Sequence, residues 1–160
     1  MYFSLIDKID NLVPGESVTA TKSLAMSEEY LRDHFPRFPV MPGVLMIEAM
    51  TQASAWLVRM SENFAHSMVV LKETRNVKFG QFLQPGQTLV VTSKIVSDDD
   101  NQTVLSAQGA IEDAVRIRAK LTLAKYNLRD LSPHQAQFDG KLIKRLQEEL
   151  ALLWNEYQVP

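Results

Sequence analysis

The chain has no cysteine, which excludes disulfides and thiol catalysis and fits a reducing compartment. It also lacks any apolar run of roughly 18 residues, so a membrane-spanning helix is not expected. Neither charge dominates: the formal net charge is −2, which advertises no nucleic-acid partner. The opening residues MYFSLIDKID lack the basic segment and apolar stretch of a signal peptide. No internal repeat or low-complexity tract is present. These absences lead to the expectation of a soluble, cytoplasmic protein. Its 160 residues suffice for one domain with a substantial core.

What the sequence does contain is concentrated in HFPRFPVMPGVLMIEAMTQASAWLV, from His34 to Val58. Pro36, Pro39 and Pro42 stiffen the loop that follows His34, because each fixes its φ and removes a donor. Met41, preceding Pro42, is pushed towards extended geometry, so a helix is expected to begin with Pro42 in its first position. From Val44 to Val58 the only polar side chains are Glu48, Thr51, Gln52 and Ser54. A helix apolar on every side is expected to be buried on every side, which would place the Glu48 carboxyl in the core. There it must be paired, hydrogen-bonded or protonated. At the helix start, the N–H groups of Gly43 and Val44 are unpaired donors, and Gly43 has no side chain to keep a ligand away. Such a site suits a carbonyl oxygen or a developing oxyanion. A base, an acid and an oxyanion donor thus come from one short stretch. Each also has a plainer reading: a surface histidine, an ordinary helix start, and a structural glutamate bonded to backbone or to Gln52.

Around this stretch the pattern alternates between strands and turns. Residues 2–13 and 17–24 read as strands separated by Pro14-Gly15. Ser27-Glu28-Glu29 opens a short helix ending before His34. Strand-like pieces follow at 68–71 and 77–79, then a turn at Pro85-Gly86, then strands at 88–96 and 102–112. The Ser97 to Asn101 run lacks the alternation of a calcium loop and reads as a hairpin tip. Residues 115–124 alternate cleanly, with Arg116, Arg118 and Lys120 on the outer face. Lys72, Arg75 and Lys78 form a second, looser basic cluster. Residues 127–137 form a polar linker, and 139–157 an amphipathic helix. His66 and His134 lack metal-ligand spacing, and no set of three convergent zinc ligands is visible. One apolar helix among six strands fits an α+β fold, a curved antiparallel sheet wrapped around that helix.

The central segment resembles the signature of the 3-hydroxyacyl-acyl-carrier-protein dehydratases of type II fatty-acid synthesis, a hot-dog-fold family. His34, Phe35, Pro36, Pro39, Met41, Pro42, Gly43, Val44, Leu45, Glu48, Ala49, Met50 and Gln52 match it. Weaker resemblance covers most of residues 1–125, including Val77-Lys78-Phe79 and Pro85-Gly86. Arg37 stands where the family has glycine, and Phe79-Gly80-Gln81-Phe82 replaces its usual Phe-Arg-Arg-Pro run. With an extended C-terminus, these departures suggest a specialised member.

The resemblance implies that His34 and Glu48 are the catalytic pair, with Gly43 N–H binding the thioester carbonyl and Val44 and Gln52 beside the substrate. It implies dehydration of (3R)-hydroxyacyl thioesters to trans-2-enoyl thioesters, without metal or organic cofactor. The hot-dog domain would span 1–126, with 127–160 as linker and C-terminal helical extension. The implied partners are acyl carrier protein, bearing the acyl chain on a phosphopantetheine arm, and further copies of the chain. The copies would form a dimer or a trimer of dimers, with His34 of one subunit meeting Glu48 of the other. The basic faces would then dock the acidic carrier, although an ordinary solvated sheet face is the favoured reading. A hot-dog thioesterase and a non-catalytic acyl-chain or carrier-protein binder are the alternatives.

Overall fold

The computed structural model describes residues 3–34 and 37–160, so Phe35 and Pro36 of the signature lie outside the described residues. The elements are β1 (Lys8–Val13), β2 (Ser17–Ser23), α1 (Tyr30–Asp33), α2 (Gly43–Ser61), β3 (Met68–Phe79), β4 (Thr88–Asp98), β5 (Gln102–Ile111), β6 (Ala114–Tyr126), α3 (Leu128–Leu131) and α4 (Ala136–Leu153). The six strands form one antiparallel sheet in the order β1-β2-β4-β5-β6-β3. Gly15 and Gly86, at φ +78° and +87°, make turns that a side chain would strain. The sheet curls around α2, giving the hot-dog arrangement.

The periodicities explain most of this. In β6, Ile117, Ala119, Leu121 and Leu123 are buried while Arg118 and Lys120 are exposed, as strict alternation requires. The hydroxyls of Ser54 and Ser93 share a 2.7 Å hydrogen bond where α2 meets the sheet, which satisfies both in the core. The pieces expected at 68–71 and 77–79 are instead one strand, β3. Its middle lies at the sheet edge, exposed and without apolar alternation, and the register shifts where Asn76 adopts φ +54°.

Two expectations about α2 need correction. Pro42 is the residue before the helix, not its first, because its ψ of 139° is extended. Its carbonyl accepts from the N–H of Leu45 and Met46. Nor is the helix buried all round. Met46, Ala49, Met50, Ala53 and Leu57 are fully covered, but Val44 is 68% exposed and Glu48 only half-buried. One wall of the N-terminal half therefore faces outward.

The C-terminal region is packed onto this body. Leu150 of α4 is fully buried, and Leu146, Leu153 and Trp154 lie against the core. Part of the polar linker is helical (α3), and Asp139 ties it down by accepting from Ser67 Oγ at 2.5 Å and from the N–H groups of Leu128 and Arg129 at 2.8 and 3.1 Å.

Candidate active site

Glu48 sits on the outward wall of α2, where the helix has turned away from the core. Gln52, one turn later, donates from Nε2 to Glu48 Oε1 at 3.0 Å. The same amide nitrogen reaches Phe3 O at 3.1 Å, and its oxygen accepts from Leu5 N–H at 2.8 Å. Gln52 thus fastens the segment before β1 to the helix and holds the carboxyl in place. Its amide is committed to partners within the chain, although the side chain faces the cavity.

That cavity has a volume of about 420 Å³, within the usual range for small-molecule sites. Glu48, Gln52, Trp56 and Arg59 form its α2 wall. Val69 and Leu71 of β3 face them, and Leu146 and Glu149 of α4 close another side. The walls combine a few charged groups with aliphatic and aromatic surface, suited to a mainly apolar ligand. No sequence signal singled out Trp56, Arg59 or Glu149, because their relation depends on α4 folding back over α2.

Gly43 begins α2, and among the described residues neither its N–H nor that of Val44 makes a hydrogen bond. These are the unpaired donors expected of a helix start. The ring of Phe79 lies against Gly43: a Cβ there would be 2.8 Å from Phe79 Cε1. The absence of a side chain is therefore used by the protein's own aromatic ring. Phe79 follows Lys78 at the end of β3, and nothing local in the sequence connects it with Gly43.

His34 directly follows α1 in extended geometry, with its N–H bonded to Tyr30 O at 3.2 Å and the residue half-buried. Lys22, itself almost wholly buried, secures the start of this segment by pairing with Glu28 at 2.7 Å and Asp7 at 3.3 Å. Burial lowers the Lys22 pKa, but the two carboxylates outweigh it and the net shift is upward. Within the chain, His34 is not on the wall of the cavity that Glu48 lines.

The two basic clusters are one patch. Register pairs Arg75 with Lys120 and Lys78 with Arg118 on the outer sheet face. The tip at 98–102 is an Asx turn, with Asp99 Oδ1 accepting from the N–H of Asn101 and Gln102.

A carboxyl on a helix wall, a glycine helix start and a mostly apolar cavity within a wrapped sheet can be compared with known proteins. The model of the FabA-like domain matches residues 1–120. The chain belongs to the FabA-like family. A relative named 3-hydroxyacyl-[acyl-carrier-protein] dehydratase FabZ, from Lactiplantibacillus plantarum, is 37% identical over 117 residues, covering 73% of this chain and 80% of its own. The dehydratase heterocomplex ApeI:P from Xenorhabdus doucetiae has a chain that superposes with a TM-score of 0.67 at 18% identity, covering 82% of this chain and 89% of that one. A hypothetical thioesterase with coenzyme A from Streptococcus pneumoniae gives 0.55 at 12% identity, covering 74% and 84%. At such identities the structural likeness is one of fold alone, whereas the family model and the FabZ relative carry the membership. The FabA-like match ends before α3, so α3 and α4 lie beyond it.

Proposed function

We propose that this FabA-like protein dehydrates (3R)-hydroxyacyl thioesters to trans-2-enoyl thioesters, as a 3-hydroxyacyl-[acyl-carrier-protein] dehydratase of fatty-acid biosynthesis. The observation that carries this reading is the Glu48 carboxyl, held by Gln52 on the wall of a mostly apolar cavity of about 420 Å³. The Gly43 N–H, assisted by that of Val44, polarises the thioester carbonyl and stabilises enolate-like charge. Unprotonated His34 removes the C2 proton. Protonated Glu48 delivers its proton to the departing 3-hydroxyl, which leaves as water as the C2–C3 double bond forms. The next turnover requires only that a proton return from the imidazolium to the carboxylate. The chemistry calls for no metal and no organic cofactor.

The site is assigned to two copies of the chain, His34 of one facing Glu48 of the other. Two features support this. His34 is absent from the Glu48 cavity within one chain, and β3 is an edge strand whose open side can pair with another strand. A dimer, or a trimer of dimers, satisfies both. Residues 1–126 form the catalytic unit, and 127–160 a linker and helical extension laid over it. Acyl carrier protein is the donor, and the patch containing Arg75, Lys78, Arg118 and Lys120 supplies the charge to attract an acidic carrier. No described helix is long and apolar enough to cross a membrane. The cytoplasm is the proposed compartment.

The test is to incubate the protein with 3-hydroxyacyl thioesters and follow enoyl absorbance and free thiol together. Enoyl formation without thiol release supports dehydration. Thiol release without enoyl formation supports a thioesterase, and binding with neither supports a non-catalytic carrier.

A further inference from the structure

Arg59 is a charged group on the cavity wall to which the dehydration assigns no role. It lies eleven residues beyond Glu48, three helical turns plus about 20°, and so on the same face of α2 roughly 16 Å further along. Gln52, Ala55 and Trp56 occupy the wall between them. The guanidinium rests over Trp56, with Cζ 5.1 Å from the ring centroid. One Nη2–H reaches Val69 O only at 3.5 Å, and the buried Nε–H has no acceptor among the described residues. Burial draws the Arg59 pKa down to about 10, a pull that the charge of Glu62 offsets only in part. Arg59 as a whole is half-buried, and with so few acceptors for its guanidinium, a rigid fork of donors on a cavity wall is suited to an oxygen ligand.

α4 adds a second polar group at this cavity. Glu149 is half-buried, and burial raises its carboxyl pKa, favouring the form that can donate a proton. A plain alkyl chain would strip water from both groups and return no hydrogen bond. A chain ending in an oxygen acceptor would satisfy them.

We propose that Arg59 and Glu149 form a distal polar subsite that selects 3-hydroxyacyl thioesters carrying a hydroxyl or oxo group near the far end of the acyl chain. The proposal rests on the reading of this cavity as the acyl channel. It also gives the C-terminal extension a task, since α4 supplies one of the two groups. Arg59 acts here on specificity and takes no part in the elimination.

The experiment is a series of 3-hydroxyacyl thioesters of increasing length, each with and without a terminal hydroxyl. At the length that spans Glu48 to Arg59, kcat/KM should favour the hydroxylated member by about 10–100-fold, the worth of a hydrogen bond to a charged group. Shorter pairs should show no such preference. Arg59→Met, with each rate taken relative to the same variant's shortest substrate, should abolish the preference. Glu149→Leu should reduce it, and serves if the first variant does not fold. Equal rates in the wild type at every length, or a preference that survives Arg59→Met, would overturn the proposal. If no member is dehydrated, the functional reading fails. Calorimetric binding of matched fatty acids, with and without the terminal hydroxyl, then tests the subsite alone, and equal affinities overturn it.

Discussion

Gln52 Nε2 donates to Glu48 Oε1 at 3.0 Å across one turn of α2, and the same amide joins the segment before β1 through Phe3 O and Leu5 N–H. One side chain therefore couples the proposed catalytic acid to the segment that leads into β1. Replacement by leucine keeps the bulk and removes all three bonds. Gln52→Leu should cost roughly 1–3 kcal/mol of stability, because the part-buried Leu5 N–H loses its acceptor. It should also lower kcat more than it raises KM, since Glu48 loses its orientation. Urea unfolding and steady-state kinetics check the two effects separately.

His34→Ala should remain folded yet lose at least ~100-fold in turnover, the usual consequence of removing a general base. Circular dichroism and gel filtration establish the fold. A folded variant with near-normal dehydration would remove His34 from the mechanism.

For a site shared between subunits, inactive His34→Ala and inactive Glu48→Gln proteins should partly rescue one another on mixing. One site of the heterodimer would hold both wild-type residues and the other neither. Absence of rescue, once subunit exchange has been demonstrated by mass spectrometry, would place the whole site in one chain.

Gly43→Ala separates folding from function. The new methyl would lie 2.8 Å from Phe79 Cε1, the far end of a side chain that is 48% exposed and can swing aside. Alanine also favours the helix by up to ~1 kcal/mol, so the melting temperature should change little. Activity should nevertheless fall by about tenfold or more, because the methyl and the displaced ring crowd the N–H assigned to the thioester carbonyl. Full activity would rule out that assignment.

Asp139 makes the packing of the C-terminal region pH-dependent. Burial alone would raise its carboxyl pKa, but the Ser67 hydroxyl and the N–H groups of Leu128 and Arg129 outweigh burial and hold it below the ordinary aspartate range. With the folded value depressed, the ionised form contributes stability above the unfolded value of about 3.9, and that contribution is lost as pH falls through the folded value. Asp139→Asn should be less stable than wild type at pH 7, and the gap should close on acidification below about pH 4. Urea midpoints of the two proteins across that range measure it. A gap that persists at the acid end would show that shape, not charge, holds α4.

The sequence by itself determined what neighbouring residues decide. Alternation from Val115 to Leu123 specified a half-buried strand, Pro85-Gly86 a turn, and the Leu142, Leu146, Leu150 spacing an amphipathic helix. The prolines and glycine around Met41 located the start of α2 to within one residue, because their effect on φ and ψ is local. The His34 to Gln52 signature was legible for the same reason: its spacing lies within one continuous segment.

Only the tertiary structure decided which surfaces those elements turn to one another. An almost wholly apolar helix pointed to complete burial, yet the sheet covers one side of α2 and leaves the Glu48 wall to a cavity. The exposed middle of β3 hid a continuous strand, because an edge position demands no apolar alternation. Register alone merged Arg75 with Lys120 and Lys78 with Arg118, and long-range packing alone laid Phe79 on Gly43 and brought Glu149 to the cavity of Arg59. Periodicity records that a face is covered. It carries no mark of what covers it, and that is settled when residues far apart in the chain are packed together.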